Sequence, residues 1–523
     1  MSHDTKIQLR MGTVSGSRWL IDDVQLFDAL TSSEHSPCSN TQMTVTGQEL
    51  SMAKPSGDKT VPTMVRCNAI MRIVAVLTGM FFSLNSANAA TRKETRETPA
   101  ERGFRLLTTK AYLPADFDQQ VFDELWKQWE EPLRSQAEKA TPAGRRKMAF
   151  ARYGLTENPE KPDGVALQYV DDGRGGWSMN CLACHSGKVA GQVVFGVPNS
   201  LYALQTLTED VRATKLRMGK ALGHMDRGSL LYPLGGSIGT TNAVMFGKIL
   251  MTYRDPDLSV HVRGLPTGLV HHDHDAPPWW NVKKKSRLYA DGFVPKNHRA
   301  LMQFLLIPSN GPDKFKQWES DYVDILAWIE SLKPPQYAGP IDRDLAAEGE
   351  KVFARACAEC HGTYGNSPSY PQRMVAIDEV KTDRVRLDSL NVPAREAYGK
   401  SWFASLDKID TLLEPEGYIA PPLDGIWASA PYLHNGSVPT LWHLLNPDQR
   451  PVVWKRTEDG YDQEKVGLEV TSLESIPSEV KDAREARRYF DTRLRGKSAA
   501  GHDFPSQLSD SERRQVLEYL KTL

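Results

Sequence analysis

Cys181-Leu-Ala-Cys184-His185 and Cys357-Ala-Glu-Cys360-His361 are two copies of one pattern. Cys-x-x-Cys-His is the attachment signature of c-type haem. The spacing follows from the chemistry. Two thiols add across the two haem vinyl groups, and the next histidine then lies below the iron as its proximal ligand. The chain has 6 cysteines, and the other two, Cys38 and Cys67, both lie before residue 90. No cysteine after that point is left for a structural disulfide. A zinc site would draw four ligands from the two copies together and give no role to a histidine placed identically twice. A thioredoxin-like redox pair needs no histidine at all. The motifs therefore predict two covalent haem c groups (iron) on Cys181, Cys184, Cys357 and Cys360, with His185 and His361 as metal ligands.

Haem is attached to such motifs outside the cytoplasm, and the chain carries an export pattern. Ile73 to Phe82 reads IVAVLTGMFF, about ten apolar residues, too short to cross roughly 30 Å of hydrocarbon. Arg66 and Arg72 precede it and Ala87-Asn88-Ala89 follows. Positive flank, short apolar core and small-x-small site describe a secretory signal peptide over residues 64–89, cleaved after Ala89. Met64 and Met71 are better starts than Met1, so residues 1–63, polar and without periodicity, read as an over-called, disordered N-terminus. The expected location is periplasmic or secreted, with no membrane span in the mature form.

The 523 residues carry 64 Lys+Arg against 65 Asp+Glu, a net charge of -1. That balance supplies no general drive toward nucleic acid or an anionic membrane. With 25% charged and 40% hydrophobic residues, and 33 Pro and 38 Gly, a long-loop enzyme of two or three domains fits better than a coiled coil or an all-helical bundle, and the composition excludes disorder throughout, a collagen and a multi-span membrane protein.

The chain is also duplicated at a coarser level. Ile325-Leu-Ala-Trp-Ile-Glu-Ser-Leu332 is similar to Val516-Leu-Glu-Tyr-Leu-Lys-Thr-Leu523, and both are amphipathic helix ends that follow a haem motif. Ser509 is placed to cap the second, with Asp510 and Glu512 in its first turn. This resembles class I cytochrome c, in which an N-terminal helix leads into the motif and crosses a C-terminal one. Leu345 to Phe353 looks like that first helix, with Gly349 and Phe353 at the crossing. The glycine-rich run Gly173 to Asn180 before the first motif departs from the pattern. The resemblance implies a mainly α fold with two class I cytochrome c-like haem domains in tandem and long elaborating loops. The reactive-haem domain is placed at 90–333 and the electron-transfer domain at 341–523. Between them, Lys333-Pro-Pro-Gln-Tyr-Ala-Gly-Pro340 reads as a linker.

The sixth ligand decides whether a c-type haem carries electrons or binds oxygen or peroxide. After His361 the candidates are Met374, His434, His443 and His502. His434 is favoured, because it sits in the turn-rich run Ala430-Pro-Tyr-Leu-His-Asn-Gly-Ser437. After His185 the candidates include Met218, His224, Met225, Met245, Met251, His261, His271, His272, His274 and His298, and none stands out. The first haem is accordingly expected to be open, with Phe246 lining an apolar distal pocket. His271-His-Asp-His274 reads as an exposed polar loop rather than a metal site. Gly235-Gly-Ser-Ile-Gly-Thr-Thr241 lacks the lysine of a P-loop and reads as a tight turn. One of Trp279 and Trp280 is a candidate to bridge the haems, while core packing is the commoner role for such residues.

Pro421-Pro-Leu-Asp-Gly-Ile-Trp-Ala-Ser-Ala-Pro-Tyr-Leu-His-Asn-Gly-Ser437, following two such motifs, resembles the bacterial di-haem cytochrome c peroxidase and methylamine-utilisation di-haem superfamily. It is most similar to the rubber oxygenase branch. The resemblance implies that His185 holds the reactive haem, which binds O2, and that His361 and His434 jointly ligate the electron-transfer haem. It implies a di-haem oxidoreductase acting as a dioxygenase on the double bonds of a hydrophobic polymer or smaller alkene. A peroxidase reducing H2O2 with a small redox protein donor, and a non-enzymatic two-haem carrier, are the alternatives. A peroxidase needs an acid/base group beside the iron, and no residue declares itself in that role.

Overall fold

A computed structural model describes residues 97–523, apart from 262 and 265. The expected signal peptide and the segment before it lie outside the described residues. The longer helices are α1 (Pro99–Thr109), α2 (Pro142–Tyr153), α3 (Leu204–Arg217), α4 (Ala243–Thr252), α5 (Pro312–Ser331), α6 (Arg343–Ala356) and α7 (Asp510–Leu520). The strands used below are β1 (Ser186–Val189), β2 (Gln192–Phe195), β3 (Met374–Ala376), β4 (Gly417–Ile419), β5 (Val453–Asp462), β6 (Gly467–Leu473) and β7 (Tyr489–Asp491).

Two helix crossings organise the molecule, one in each half: α1 packs on α5, and α6 on α7. Each depends on a glycine. A Cβ at Gly103 would land on the Asp324 carbonyl, and one at Gly349 on the Gln515 carbonyl. Only a residue without a side chain lets the backbones come that close. Four residues after each glycine, Leu107 and Phe353 fill the contact from buried positions. The apolar periodicity of α5 buries Phe315, Trp318, Tyr322, Ile325 and Ile329. In α7 it buries Val516, Leu517 and Leu520.

Three of these helices are capped by residues at their own starts. Thr98 with Glu101, and Ser509 with Glu512, form reciprocal capping boxes. Asp342 accepts from the backbone N–H groups of Asp344 and Leu345 at the start of α6. The first half's leading helix is not next to its motif: α1 ends at Thr109, and α2 and small antiparallel sheets intervene before Cys181. The glycine-rich run before Cys181 is instead part of strand Gly176–Met179 and its turn.

Residues 333–340 form no helix or strand. They are pinned by Trp427, whose Nε1–H donates to the Pro335 carbonyl (2.9 Å). The described residues from 97 to 523 belong to one compact unit, with both haem motifs inside it. Buried apolar clusters run across the two halves: Leu390, Tyr398 and Phe403 pack with Tyr322 and Ile325 of α5. β5 pairs antiparallel with β6 and β7, and Arg456 of β5 donates to the Ser200 carbonyl across the halves. Among the described residues no helix is long and apolar enough to cross a membrane.

Candidate functional site

Each motif ends in a one-turn helix, Leu182–His185 and Ala358–His361. Nδ1 of His185 lies 3.1 Å from the Pro277 carbonyl oxygen, and Nδ1 of His361 lies 2.9 Å from that of Pro421. A carbonyl oxygen can only accept, so Nδ1 carries the proton in both rings. That tautomer leaves Nε2 with a free lone pair for a metal. Burial disfavours the charged ring, pushing His185 down to about 3 and lowering His361 as well. Both acceptors are the first proline of an Ala-Pro-Pro run, Ala276-Pro277-Pro278 and Ala420-Pro421-Pro422. The repetition of that tripeptide was a sequence signal for these partners, and it was missed.

The two runs are tied to each other. Trp280 donates from Nε1 to the Asp424 carbonyl (2.6 Å), and Asn281 from Nδ2 to the Pro422 carbonyl (2.9 Å). Trp279 stacks on the His185 ring, centroids 4.2 Å apart and 18° between planes. One indole thus covers the first motif histidine, and its neighbour grips the segment that orients the second. Both indoles are also buried core residues, at 6% and 1% exposure.

His502, rather than His434, lies across from His361. The two ring centroids are 6.1 Å apart. One metal atom bound to a nitrogen of each of two imidazoles holds their centres about 6 Å apart. The His502 main-chain N–H donates to the Val380 carbonyl (2.7 Å), and its backbone has φ +52°. Burial pushes its ring down to about 3. Arg450 laces the loop that presents it, donating to the carbonyls of Ala499 (2.6 Å) and Gly501 (2.7 Å).

The expectation for His434 is corrected accordingly. Its ring packs on Tyr418, centroids 4.4 Å apart, and its carbonyl accepts from the Asp275 N–H (3.0 Å). The turn-rich run still matters, because the fully buried Asn435 donates to the carbonyls of Gly496 and Ser498 and so anchors the loop leading to His502. Met374 sits on β3, and His443 is buried in helix Leu441–Leu445 with Nδ1 2.8 Å from the Thr440 hydroxyl.

Around the first motif, Phe246 lies on α4 against Tyr232 (5.9 Å) and, with Met218 and Met225, packs on the cluster that contacts Cys184. His271-His-Asp-His274 is not an exposed loop. His272 and Asp273 are each 1% exposed, Asp273 pairs with Lys497 (3.0 Å), and the His272 and His274 rings are 4.5 Å apart. Bridging to Thr241 draws this segment inward.

The residues fit haem c. All four motif thiols are free and half-buried. Burial raises the Cys181 and Cys357 thiols to about 11 and Cys184 to about 12, so they stay protonated. Cys181, Cys184, Cys357 and Cys360 each pack against a buried apolar cluster, the surroundings an attached macrocycle needs. Among the described residues no group of three or more His, Cys, Asp or Glu is arranged to hold a metal ion.

A family model described as RoxA-like, cytochrome c-like matches residues 417–455, the stretch from β4 through Pro421 and Asn435 to β5. The uncharacterized protein y4iM of Sinorhizobium fredii (strain NBRC 101917 / NGR234) is 29% identical over 286 residues, covering 47% of this chain and 64% of that protein. The uncharacterized protein y4iJ of the same strain is 28% identical over 258 residues, covering 37% of this chain and 41% of that protein. The chain thus spans less than two thirds of the length of these relatives. The cytochrome c-like match implies covalently bound haem c.

Proposed function

We propose that the chain is an exported di-haem c-type oxidoreductase built from two cytochrome c-like halves. The haem at His185 is the O2-reactive one, acting on an alkene or other hydrophobic substrate, and the haem between His361 and His502 handles electrons. A haem iron with an open sixth position takes O2 or peroxide, whereas one with two strong ligands passes electrons.

The observation that carries this reading is an asymmetry. His361 faces a second imidazole at 6.1 Å, whereas His185 stacks on Trp279 and, among the described residues, has no ring contact with another imidazole. The chain's own residues supply the rest. Pro277 and Pro421 fix the tautomers. Trp279 holds the His185 ring, and Phe246 with its methionine neighbours supplies an apolar wall that keeps water away from a hydrophobic substrate. The Trp279–Trp280 pair joins the two motif histidines through the Asp424 carbonyl, a covalent and hydrogen-bonded route for an electron.

The test combines spectroscopy and turnover on the purified holoprotein. EPR is expected to show one low-spin haem and one that is high-spin or O2-bound, and incubation with an alkene under O2 is expected to yield carbonyl cleavage products. Two low-spin haems would indicate a carrier. H2O2 turnover with a reduced donor, and no alkene cleavage, would indicate a peroxidase.

A further inference from the structure

Asp291 is completely buried and receives two guanidiniums. Arg386 donates to its two carboxylate oxygens at 3.0 and 3.1 Å, and Arg395 donates to one of them at 2.6 Å. Both arginine side chains are 1% exposed. Two cations against one carboxylate leave a positive charge in the interior. Arg395 also bonds the Leu390 carbonyl through Nε (2.7 Å), yet its Nη1 is buried without a hydrogen-bond partner.

The surrounding titratable groups do not offset that charge. The rings of His434, His272 and His274 are held neutral chiefly by burial, and the Arg386 charge acts on all three in the same direction. The Tyr289 and Tyr418 phenols are raised by burial and stay protonated. Asp383 is half-buried, and its oxygens accept from the backbone N–H groups of Val385 and Ser498. An unpaired buried guanidinium is strongly unfavourable, so the cluster calls for an anion.

Its position says which one. Ala290, beside Asp291, packs with Cys360, Tyr418 and Ala420, and its carbonyl accepts from the Ile419 N–H (2.7 Å). The next residue after Ala420 is Pro421, which orients His361. We propose that Arg395 and Arg386 form a seat for a carboxylate, namely a propionate of the haem attached at Cys357 and Cys360. This rests on the haem reading above and adds to it a charge that tunes the electron-transfer haem. Removing a cation beside a haem favours its oxidised form, and removing an anion does the reverse.

The test uses holoprotein shown by pyridine haemochrome to carry two haems; a chain without attached haem would sink the earlier reading, not this one alone. Resonance Raman is used to read the propionate bending bands, and redox titration to read both midpoint potentials. Arg395→Gln is expected to shift a propionate band and lower the potential of the low-spin haem only, with Arg395→Lys partly restoring both. Asp291→Asn, which keeps both cations, is expected to raise that potential, and serves if Arg395→Gln does not fold. Two-haem variants with unmoved bands and potentials would overturn the proposal. So would saturable binding of free acetate by the wild-type protein that Arg395→Gln abolishes, since the seat would then be open to a diffusing anion.

Discussion

The two halves share the backbone carbonyls that set each helix crossing and each motif histidine, and differ in the side chains that lie against those histidines. In each, a glycine admits a carbonyl from the partner helix, Asp324 to Gly103 and Gln515 to Gly349. In each, a motif histidine bonds the carbonyl of the first proline in Ala-Pro-Pro. Beyond that they part. His361 has His502 across from it, presented by a loop laced to Arg450, whereas His185 is covered by an indole. A common scaffold thus sets two histidines identically, and the loops around them give each its own chemistry.

The strongest way to break this comparison is to remove one attachment point at a time. Cys181→Ala with Cys184→Ala is expected to leave one covalent haem by mass spectrometry and to abolish substrate turnover. Cys357→Ala with Cys360→Ala is expected to leave one haem as well, this time the reactive one. If either double variant still carries two, the motifs are not separate sites. Next in size is the ligand pair. His502→Ala is expected to convert the low-spin EPR signal to high-spin, while His434→Ala keeps it low-spin. The opposite pattern would return the sixth position to His434.

A milder version of the same test acts through Arg450. Arg450→Ala strips the donors from the carbonyls of Ala499 and Gly501, each of which then costs about 1–3 kcal/mol if left buried and unmet. The expected result is a mixture of low- and high-spin signal at the second haem and an unchanged first. A fully low-spin spectrum would mean that the loop holds His502 without it.

Much of this site was legible in the residues before any coordinates. The haem motifs, α6, α7 and the Ser509 cap rest on local spacing, and local spacing survives folding. The end of α5 was read from its periodicity, but its partner α1 was not found, because α1 sits far upstream of Cys181 and only its Gly103 and Leu107, four residues apart like Gly349 and Phe353, betray it. The choice among His434, His443 and His502 depended on which loop folds back over His361, a long-range fact. Arg450 and Asn435, remote in sequence from His502, make that decision. The histidine run at 271–274 was misread for a similar reason: polarity suggested solvent, but Asp273 is neutralised by Lys497 from far along the chain.

The crossings give a test of the shared scaffold. Gly103→Ala and Gly349→Ala each drive a methyl onto a backbone carbonyl, a strain of about 1–3 kcal/mol. Both are expected to lower the thermal unfolding midpoint by similar amounts, since the contacts are alike. A large drop for one and none for the other would show that the two helix pairs do not carry equal weight.

The smallest expected effect concerns the tie between the halves. Trp280→Phe keeps an aromatic ring in the core but removes the N–H that meets the Asp424 carbonyl at 2.6 Å. A buried carbonyl left without a donor costs about 1–3 kcal/mol, reduced here because Asn281 still holds the Pro422 carbonyl beside it. Stability should therefore fall only slightly, and both haems should keep their spin states, since Pro277 and Pro421 are untouched. What should change is the rate at which an electron placed on one haem by flash reduction reaches the other. Trp279→Phe is the control: it loosens the His185 stack but leaves the hydrogen-bonded link intact. Slower transfer in Trp280→Phe than in Trp279→Phe would identify the link as the route; equal rates in both variants and in the parent protein would mean that the indoles only pack.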